Sequence, residues 1–240
     1  MTTRIALITD VHGNAPALRA ILAELDAIPD LAHIYCLGDS VSIGPDENTV
    51  LDLLFARTNL TMVRGNHEGY VLSAIKGEPL PAEVGVGEQV HQRWMAARLS
   101  PAHADRLATL PASTEAEIEG VRLLFLHYHM ANGHFTPWKP DLSRLEEHYA
   151  GSAADVVCYG HIHETSVLQG IRRLYVDPGS AGCCHRPVAR YAILTIAAGR
   201  VDVELREAHY DNREFLASYE SLGVPEREFI LRIFHGNQGR

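Results

Sequence analysis

Five short apolar runs in this chain each stop at a small cluster of Asp, Asn or His, and this recurrence constrains the fold more than any other feature. The clusters are Thr9-Asp10-Val11-His12, Gly38-Asp39-Ser40, Arg64-Gly65-Asn66-His67-Glu68, His127-Tyr128-His129 and Gly160-His161-Ile162-His163. Short apolar runs bounded by glycine and polar residues read as buried strands. The first two are followed by helix-like segments, so the N-terminal part reads as successive β-α steps and predicts a mostly parallel sheet. Strand ends that share one edge of such a sheet form its ligand crevice. The five clusters are therefore expected to meet in space, although Asp10 and His163 are far apart in sequence.

The remaining segments fit one domain over residues 1–240 with a small insertion. Strands are expected at 4–9, 33–37 and 60–63, with helices at 15–27 and from Gly44-Pro45-Asp46 to about 57. Gly77, Pro79, Pro81, Gly85 and Gly87 break the pattern. Two short helices at 88–99 and 101–110 then make 77–111 a helical insertion, too small to bury a core of its own. A hairpin about Gly120 is expected from 115–119 and 121–126, and a helix at 141–149. Further strands are expected at 154–159, 167–169, 172–176, 189–196 and 201–207. Helices at 212–222 and 225–234 make up a C-terminal helical segment (211–235).

Composition narrows the partners. Of 240 residues, 46 % are hydrophobic and 21 % charged, with a net charge of −9, which argues against a general nucleic-acid surface. Four cysteines show no disulfide or C-x-x-C spacing. No run approaches the roughly 18 apolar residues of a membrane span, and the short N-terminal run is too small for a signal peptide. The expectation is a cytoplasmic protein without a membrane partner; homo-oligomer formation is left open.

The chemistry lies in the donor set. Two Asp, one Asn and four His supply oxygen and nitrogen without thiolate. That mix suits a pair of Mn, Fe, Ni, Co or Zn ions better than calcium or a Cys-based zinc site. Glycines beside the donors let the backbone turn sharply and keep side chains from crowding them.

Taken together and in order, Asp10-Val11-His12-Gly13-Asn14, Gly38-Asp39 with Gly44-Pro45, Arg64-Gly65-Asn66-His67-Glu68, His127 and Gly160-His161-Ile162-His163 resemble the motif set of calcineurin-like metallophosphoesterases. The resemblance runs from about residue 4 to 196. Asp177-Pro178-Gly179-Ser180 is similar to an Asn-Pro-Gly-Ser loop of the small bacterial and archaeal phosphodiesterase-like branch. It implies an α/β/β/α fold, a two-sheet β-sandwich flanked by helices. It further implies that Asp10, His12 and His163 hold one ion, that Asn66, His127 and His161 hold a second, and that Asp39 bridges them. Two ions roughly 3.5–4 Å apart share a hydroxide that attacks phosphorus in line, and the loaded site carries about +1 charge. Manganese is the first expectation for the metal. His67 is implied as the group that protonates the leaving oxygen or stabilises its charge. The expected reaction is hydrolysis of a small-molecule phosphoester, a diester by branch resemblance.

Other residues keep two readings. Arg64 could bind phosphate or pair with Glu68 or Asp39. The Gly179-Ser180 turn could approach the ligand, and Asp177 departs from the usual Asn. His185, Arg186 and Arg190 could read substrate charge or simply face solvent. Cys183 and Cys184 are read as buried or redox-sensitive. Tyr128 stands where the family usually has Gly, so His129 and His134 could line the substrate pocket. Phe135 and Trp138 could stack on a nucleobase or pack internally. The 77–111 insertion could roof the pocket or mediate dimerisation. A protein serine/threonine phosphatase is the nearest rival, but the segment after Gly38-Asp39 reads Ser40-Val41-Ser42-Ile43-Gly44, where those enzymes place Asp-Arg. A scaffold that has lost hydrolysis is the rival of another class.

Overall fold

The computed structural model describes residues 1–82, 84–131, 134–136 and 139–238, together with the backbone but not the side chain of His134. In chain order the first part runs β1 (Thr2–Ile8), α1 (Ala15–Asp26), β2 (Leu31–Cys36), α2 (Glu47–Phe55), β3 (Leu60–Met62), α3 (Asn66–Lys76), α4 (Val86–Arg98) and α5 (Pro101–Ala108). The second part runs β4 (Ser113–Ile118), β5 (Val121–Leu126), β6 (Met130–Ala131), β7 (His134–Phe135), α6 (Leu142–His148) and β8 (Val156–Cys158). It continues β9 (Thr165–Gln169), β10 (Leu174–Pro178), β11 (Val188–Ala197), β12 (Arg200–His209), α7 (Arg213–Ser221) and α8 (Arg227–His235).

Two five-stranded sheets stack between helical layers, the architecture the motif set implied. One sheet has the order β12-β11-β1-β2-β3 and the other β4-β5-β8-β10-β9. The expectation of a mostly parallel sheet is corrected. Strands β1, β2 and β3 are parallel, but β11 joins β1 antiparallel and β12 returns antiparallel to β11. The tight Ala198-Gly199 connection permits only an antiparallel return, since a parallel one needs a long crossover. The β4-β5 hairpin turns through Glu119 and Gly120, both left-handed at φ 50° and 78°, as a two-residue hairpin turn requires.

Side-chain alternation explains why β1 reads as a continuous apolar run. Ile5 and Leu7 point between the sheets, where they meet Leu123, Phe125 and Val176; Ala6 and Ile8 point the other way onto Leu18 and Ile21 of α1. Both faces are buried, so no polar alternation survives. Tyr35 and Phe125 stack across the sandwich with centroids 3.7 Å apart and planes at 4°. The outer face of the second sheet packs Val157, Tyr159 and Tyr175 against Leu145 of α6 and Tyr149 just after it. Asn14 starts α1 by accepting the Ala17 amide at 3.1 Å, and Pro16 occupies the first turn.

Helix α3 is absent from the sequence expectation, which read residues 64–68 only as the polar cluster ending the third strand. Gly65 caps α3 in extended geometry, and the Glu68 carboxylate accepts the Gly65 amide at 2.7 Å. The inserted helices join the main core through Met95, Leu99 and Leu107. Helices α7 and α8 cover Ile43 and Cys183, loop residues that flank the clustered donors. Among the described residues no helix is long and apolar enough to cross a membrane.

Candidate metal centre

The tips of β1, β2, β3, β5 and β8 meet at one edge of the sandwich, and their loops are laced together. Asp10 donates its amide to Gly38 O at 3.0 Å, His12 to Asp39 O at 2.9 Å, and Gly160 to His127 O at 2.8 Å. Gly182 donates to Asp10 O at 2.9 Å, and the Ser180 hydroxyl donates to the same carbonyl at 2.8 Å. This lacing holds five of the donor residues in the left-handed region: Asp10 at φ 53°, His12 at 47°, Asp39 at 51°, His161 at 77° and His163 at 64°. Each such non-glycine residue costs about 1–2 kcal/mol. Strain of this kind gathers where a side chain must be aimed rather than merely buried. Close approach also demands glycine: a Cβ on Gly65 would lie 2.1 Å from Asp39 Oδ1, and one on Gly160 2.7 Å from Asp10 Oδ2.

The seven donors fall into two groups that share Asp39. In the first, His12 Nε2 lies 3.1 Å from His163 Nε2 and 3.6 Å from Asp10 Oδ1, and His163 Nε2 lies 3.3 Å from Asp10 Oδ1. In the second, Asn66 Oδ1 is 3.1 Å from His127 Nε2 and 3.0 Å from His161 Nδ1, and the two imidazole nitrogens are 3.2 Å apart. Asp39 Oδ2 is 3.0 Å from His127 Nε2 and 4.0 Å from His12 Nε2. Donors about 2.1 Å from one ion at near-right angles stand about 3 Å apart, so both groups have the spacing of a coordination shell.

Hydrogen bonding behind the donors supports the fit. His12 Nδ1 faces Val41 O at 3.2 Å and His127 Nδ1 faces Leu37 O at 2.9 Å. Each bond puts the Nδ1 proton on a carbonyl and leaves the Nε2 lone pair aimed inward, the usual support for a metal-binding imidazole. Asp10 is fully buried; its Oδ2 accepts from Thr9 Oγ1 and the His161 amide, whereas Oδ1 has no hydrogen-bond partner. Asp39 Oδ1 accepts the His67 amide at 2.9 Å, which frees Oδ2 to face both groups. Burial alone would raise both carboxyls. The charge on His163 holds Asp10 well below the usual carboxylate range, and that on His127 does the same for Asp39. Conversely, Asp39 pushes His127 up to about 9 against its burial. The pocket demands positive charge, as a site for cations must.

Two buried residues complete the surroundings. Glu68 accepts three backbone amides, from Asp39 at 2.9 Å, Ser40 at 2.6 Å and Gly65 at 2.7 Å, and so clamps the β2 tip to the start of α3. The pairing of Glu68 with Arg64 is therefore corrected, because the carboxylate is filled by amides. Gln92 of α4 accepts the Ser42 hydroxyl at 2.8 Å and donates through Nε2 to His67 Nδ1 at 3.0 Å. His67 thus carries its proton on Nε2, 4.0 Å from Asp39 Oδ2. Burial lowers the His67 imidazole to about 3, so the ring is neutral, with an inward-facing N–H. Gln92 has no signature in the sequence: it is one polar residue on a helix of mixed faces.

The other substrate-contact expectations separate in space. Arg64 lines a cavity of about 740 Å³ with Asn66 and His161. His129 is corrected: it is fully buried behind the site, with Nδ1 2.8 Å from the Tyr149 hydroxyl. Tyr128 is buried too, its ring 4.4 Å from that of His161, so its bulk goes into the core. Gly179 donates to Asp177 Oδ1 at 2.9 Å, and Ser180 is fully buried against the Asp10 loop, so this turn supports the centre from behind. Arg186 is exposed and paired with Glu207 at 2.6 Å. Phe135 stacks on the His161 ring at 5.7 Å and 11°. Cys183 and Cys184 are buried. The expectations for Trp138 and for the His134 side chain lie outside the described residues.

Comparison with known proteins places this geometry. Residues 3–199 match the family profile of the calcineurin-like phosphoesterase superfamily domain. An uncharacterized protein of Methanocaldococcus jannaschii is 25 % identical over 92 % of this chain and 94 % of its own length. A symmetrical bis(5'-nucleosyl)-tetraphosphatase of Paracidovorax citrulli is 33 % identical over 50 % of this chain and 42 % of that enzyme. Two solved structures share the fold. A hypothetical protein of Pyrococcus horikoshii has TM-score 0.81, 20 % identity and 98 % coverage of each chain. A metallophosphoesterase of Sphaerobacter thermophilus has TM-score 0.72, 23 % identity and 96 % and 97 % coverage. With a family match across most of its length, this chain belongs to the calcineurin-like phosphoesterase superfamily.

Proposed function

We propose that this protein hydrolyses small-molecule phosphoesters, diesters foremost, with two divalent ions held by the strand-tip donors. The observation that carries the reading is the convergence of seven donors into two groups, with Asp39 Oδ2 facing both. Asp10, His12 and His163 would hold one ion, Asn66, His127 and His161 the other, and Asp39 both. Bound there, the ions would supply an activated water and polarise the phosphoryl oxygens. The chain's own residues do the rest. Glu68 fixes Asp39 through the backbone, and Ser180 fixes Asp10. His67, aligned by Gln92, directs its Nε2–H toward the leaving oxygen and stabilises the charge that develops on it. The absence of the Asp-Arg pair after Gly38-Asp39 argues against the protein-phosphatase alternative, since no arginine follows Asp39 to grip phosphate.

The test is a screen of phosphoesters with added Mn, Ni, Co or Zn, together with metal analysis of the gently purified protein. The expected result is about two ions per chain, with turnover of bis-p-nitrophenyl phosphate exceeding that of a phosphopeptide. A faster phosphopeptide reaction would reverse the substrate assignment. Fewer than one ion per chain, not restored by Mn, would favour a scaffold. His67→Ala should lose activity and keep both ions; retained activity would remove the assigned role of His67.

A further inference from the structure

A cavity of about 400 Å³ opens beside His67 between α4 and α8. Its apolar wall is Phe229, Ile230 and Phe234 of α8, with Ile43 from the loop after β2. Its polar wall is fixed by internal bonds. His91 Nε2 accepts the Ile43 amide at 2.9 Å and Nδ1 faces Pro225 O at 3.3 Å, which joins α4, the β2 loop and the start of α8. Gln92 is tied to Ser42 and His67. The charged groups on the lining are Glu88 and Glu226; among the described residues it has no lysine or arginine. Gly87 leaves room for Glu226, since a Cβ there would lie 2.6 Å from the Glu226 carboxyl carbon.

The cavity beside Asn66 and His161 has the opposite chemistry: it carries Arg64 and Lys76 and, among the described residues, no acidic residue. One of about 420 Å³ beside His163 is mixed, with Glu164 on its lining and with Arg186 and Arg190 both paired to Glu207. The centre is therefore polarised, cationic on the side of Asn66 and acidic and apolar on the side of His67. A phosphoryl group over the clustered donors would face its leaving oxygen toward the His67 N–H. We propose that the cavity between α4 and α8 is the leaving-group subsite, and that it takes an alcohol with an apolar body and no negative charge, a cationic alcohol best. This rests on the phosphoesterase reading above. In the reaction, water oxygen forms a bond to phosphorus, the bond from phosphorus to the alcohol oxygen breaks, and a proton from water ends on that oxygen. A leaving group that is itself a phosphate meets Glu88 and Glu226 and is disfavoured by like charge.

Three substrates that differ in leaving-group charge test the subsite on the metal-loaded full chain: the esters phosphocholine and p-nitrophenyl phosphate, and the anhydride ADP, whose leaving group is itself a phosphate. Changing Glu226→Lys should shift the ratio of kcat/KM for phosphocholine over ADP toward ADP by about tenfold. Glu88→Gln should move the ratio the same way by less. Calorimetry on the His67→Asn protein reads the binding order without turnover: phosphocholine tighter than ADP, and the reverse once Glu226→Lys is added. An unchanged ratio and an unchanged order would overturn the subsite. Failure of all three, and of the diester bis-p-nitrophenyl phosphate, to react with any of the four metals would instead sink the phosphoesterase reading, and the calorimetric order would still decide the subsite.

Discussion

Replacing Gln92 by leucine isolates what the inserted helix does for the centre. Gln92 is fully buried, and its amide spans from the Ser42 hydroxyl at 2.8 Å to His67 Nδ1 at 3.0 Å. Leucine keeps most of the volume but makes neither bond. Two buried polar groups then lose a partner, at roughly 1–3 kcal/mol each, partly offset by the added apolar burial. A net loss of about 1–3 kcal/mol leaves a folded protein. The catalytic effect is smaller than removal of His67, because the ring remains. Its backbone N–H still binds Asp39 Oδ1, and its ring still meets His12 edge-on at 5.0 Å. What is lost is the bias toward the Nε2–H tautomer, set by one neutral hydrogen bond and so worth about 0.5–1.5 kcal/mol. The expected fall in kcat is roughly 3- to 10-fold, with KM unchanged, against about 100- to 1,000-fold for loss of the charge-stabilising donor itself. Because the Nε2–H serves the leaving oxygen, alkyl esters should suffer more than p-nitrophenyl esters. Steady-state kinetics over a series of leaving groups reads this directly. Equal losses across the series, or a loss as large as that of His67→Ala, would refute orientation through Nδ1.

Three further outcomes are expected. Asp10→Asn should lower the occupancy of one ion more than the other, read as metal per chain; equal loss of both would mean that the partition between the two groups is wrong. In Gly65→Ala the new Cβ meets Asp39 Oδ1 at 2.1 Å and Asp39 N at 2.6 Å, so activity should fall about 100-fold or more through displacement of the bridging carboxylate, with the circular dichroism spectrum retained. Full activity would show that the loop relaxes freely. Glu47 is fully buried, its Oε1 3.3 Å from Arg98 Nε, and burial raises its carboxyl to about 7. Between its ordinary value of 4.5 and about 7 the folded chain keeps a proton that the unfolded chain has released. The stability this contributes is therefore full below pH 4.5 and lost as pH rises through about 7. Relative to Glu47→Gln, the wild type should lose roughly 2–3 kcal/mol between pH 4.5 and 8 in urea unfolding; an offset independent of pH would be evidence against a protonated Glu47.

Most of what the sequence determined comes from burial. Ile5–Ile8 is apolar throughout because β1 is covered on both faces, and a run of that kind ending in Asp or His is visible without coordinates. The strand-tip clusters and their order likewise name the family, because donor types and glycine spacing are local properties. Local reasoning failed where the partner is remote. Residues 64–68 read only as a polar cluster at a strand end, with Glu68 a possible partner of Arg64, whereas its carboxylate is buried on three amides, two of them from the β2 tip. His129 looked like a pocket residue beside His127, but β5 ends at Leu126 and the bend that follows carries the His129 ring into the core against Tyr149. The parallel sheet was expected from the N-terminal steps alone, and the return of β11 beside β1 depends on a pairing between residues at opposite ends of the chain.

Residue identity thus determined the donor set, and tertiary packing decided its geometry. Asp10 and His12 are written two positions apart, but His163 reaches them only because β8 lies in the second sheet with its tip at the same edge. The left-handed backbone at five donor residues is disfavoured locally and persists because bonds from neighbouring loops hold it. Gln92 on His67, and Glu226 opposite the inserted helix, were set by helices that carry no motif. Side chains brought together from distant segments leave no periodic trace, because selection acts on where they meet rather than on their spacing along the chain.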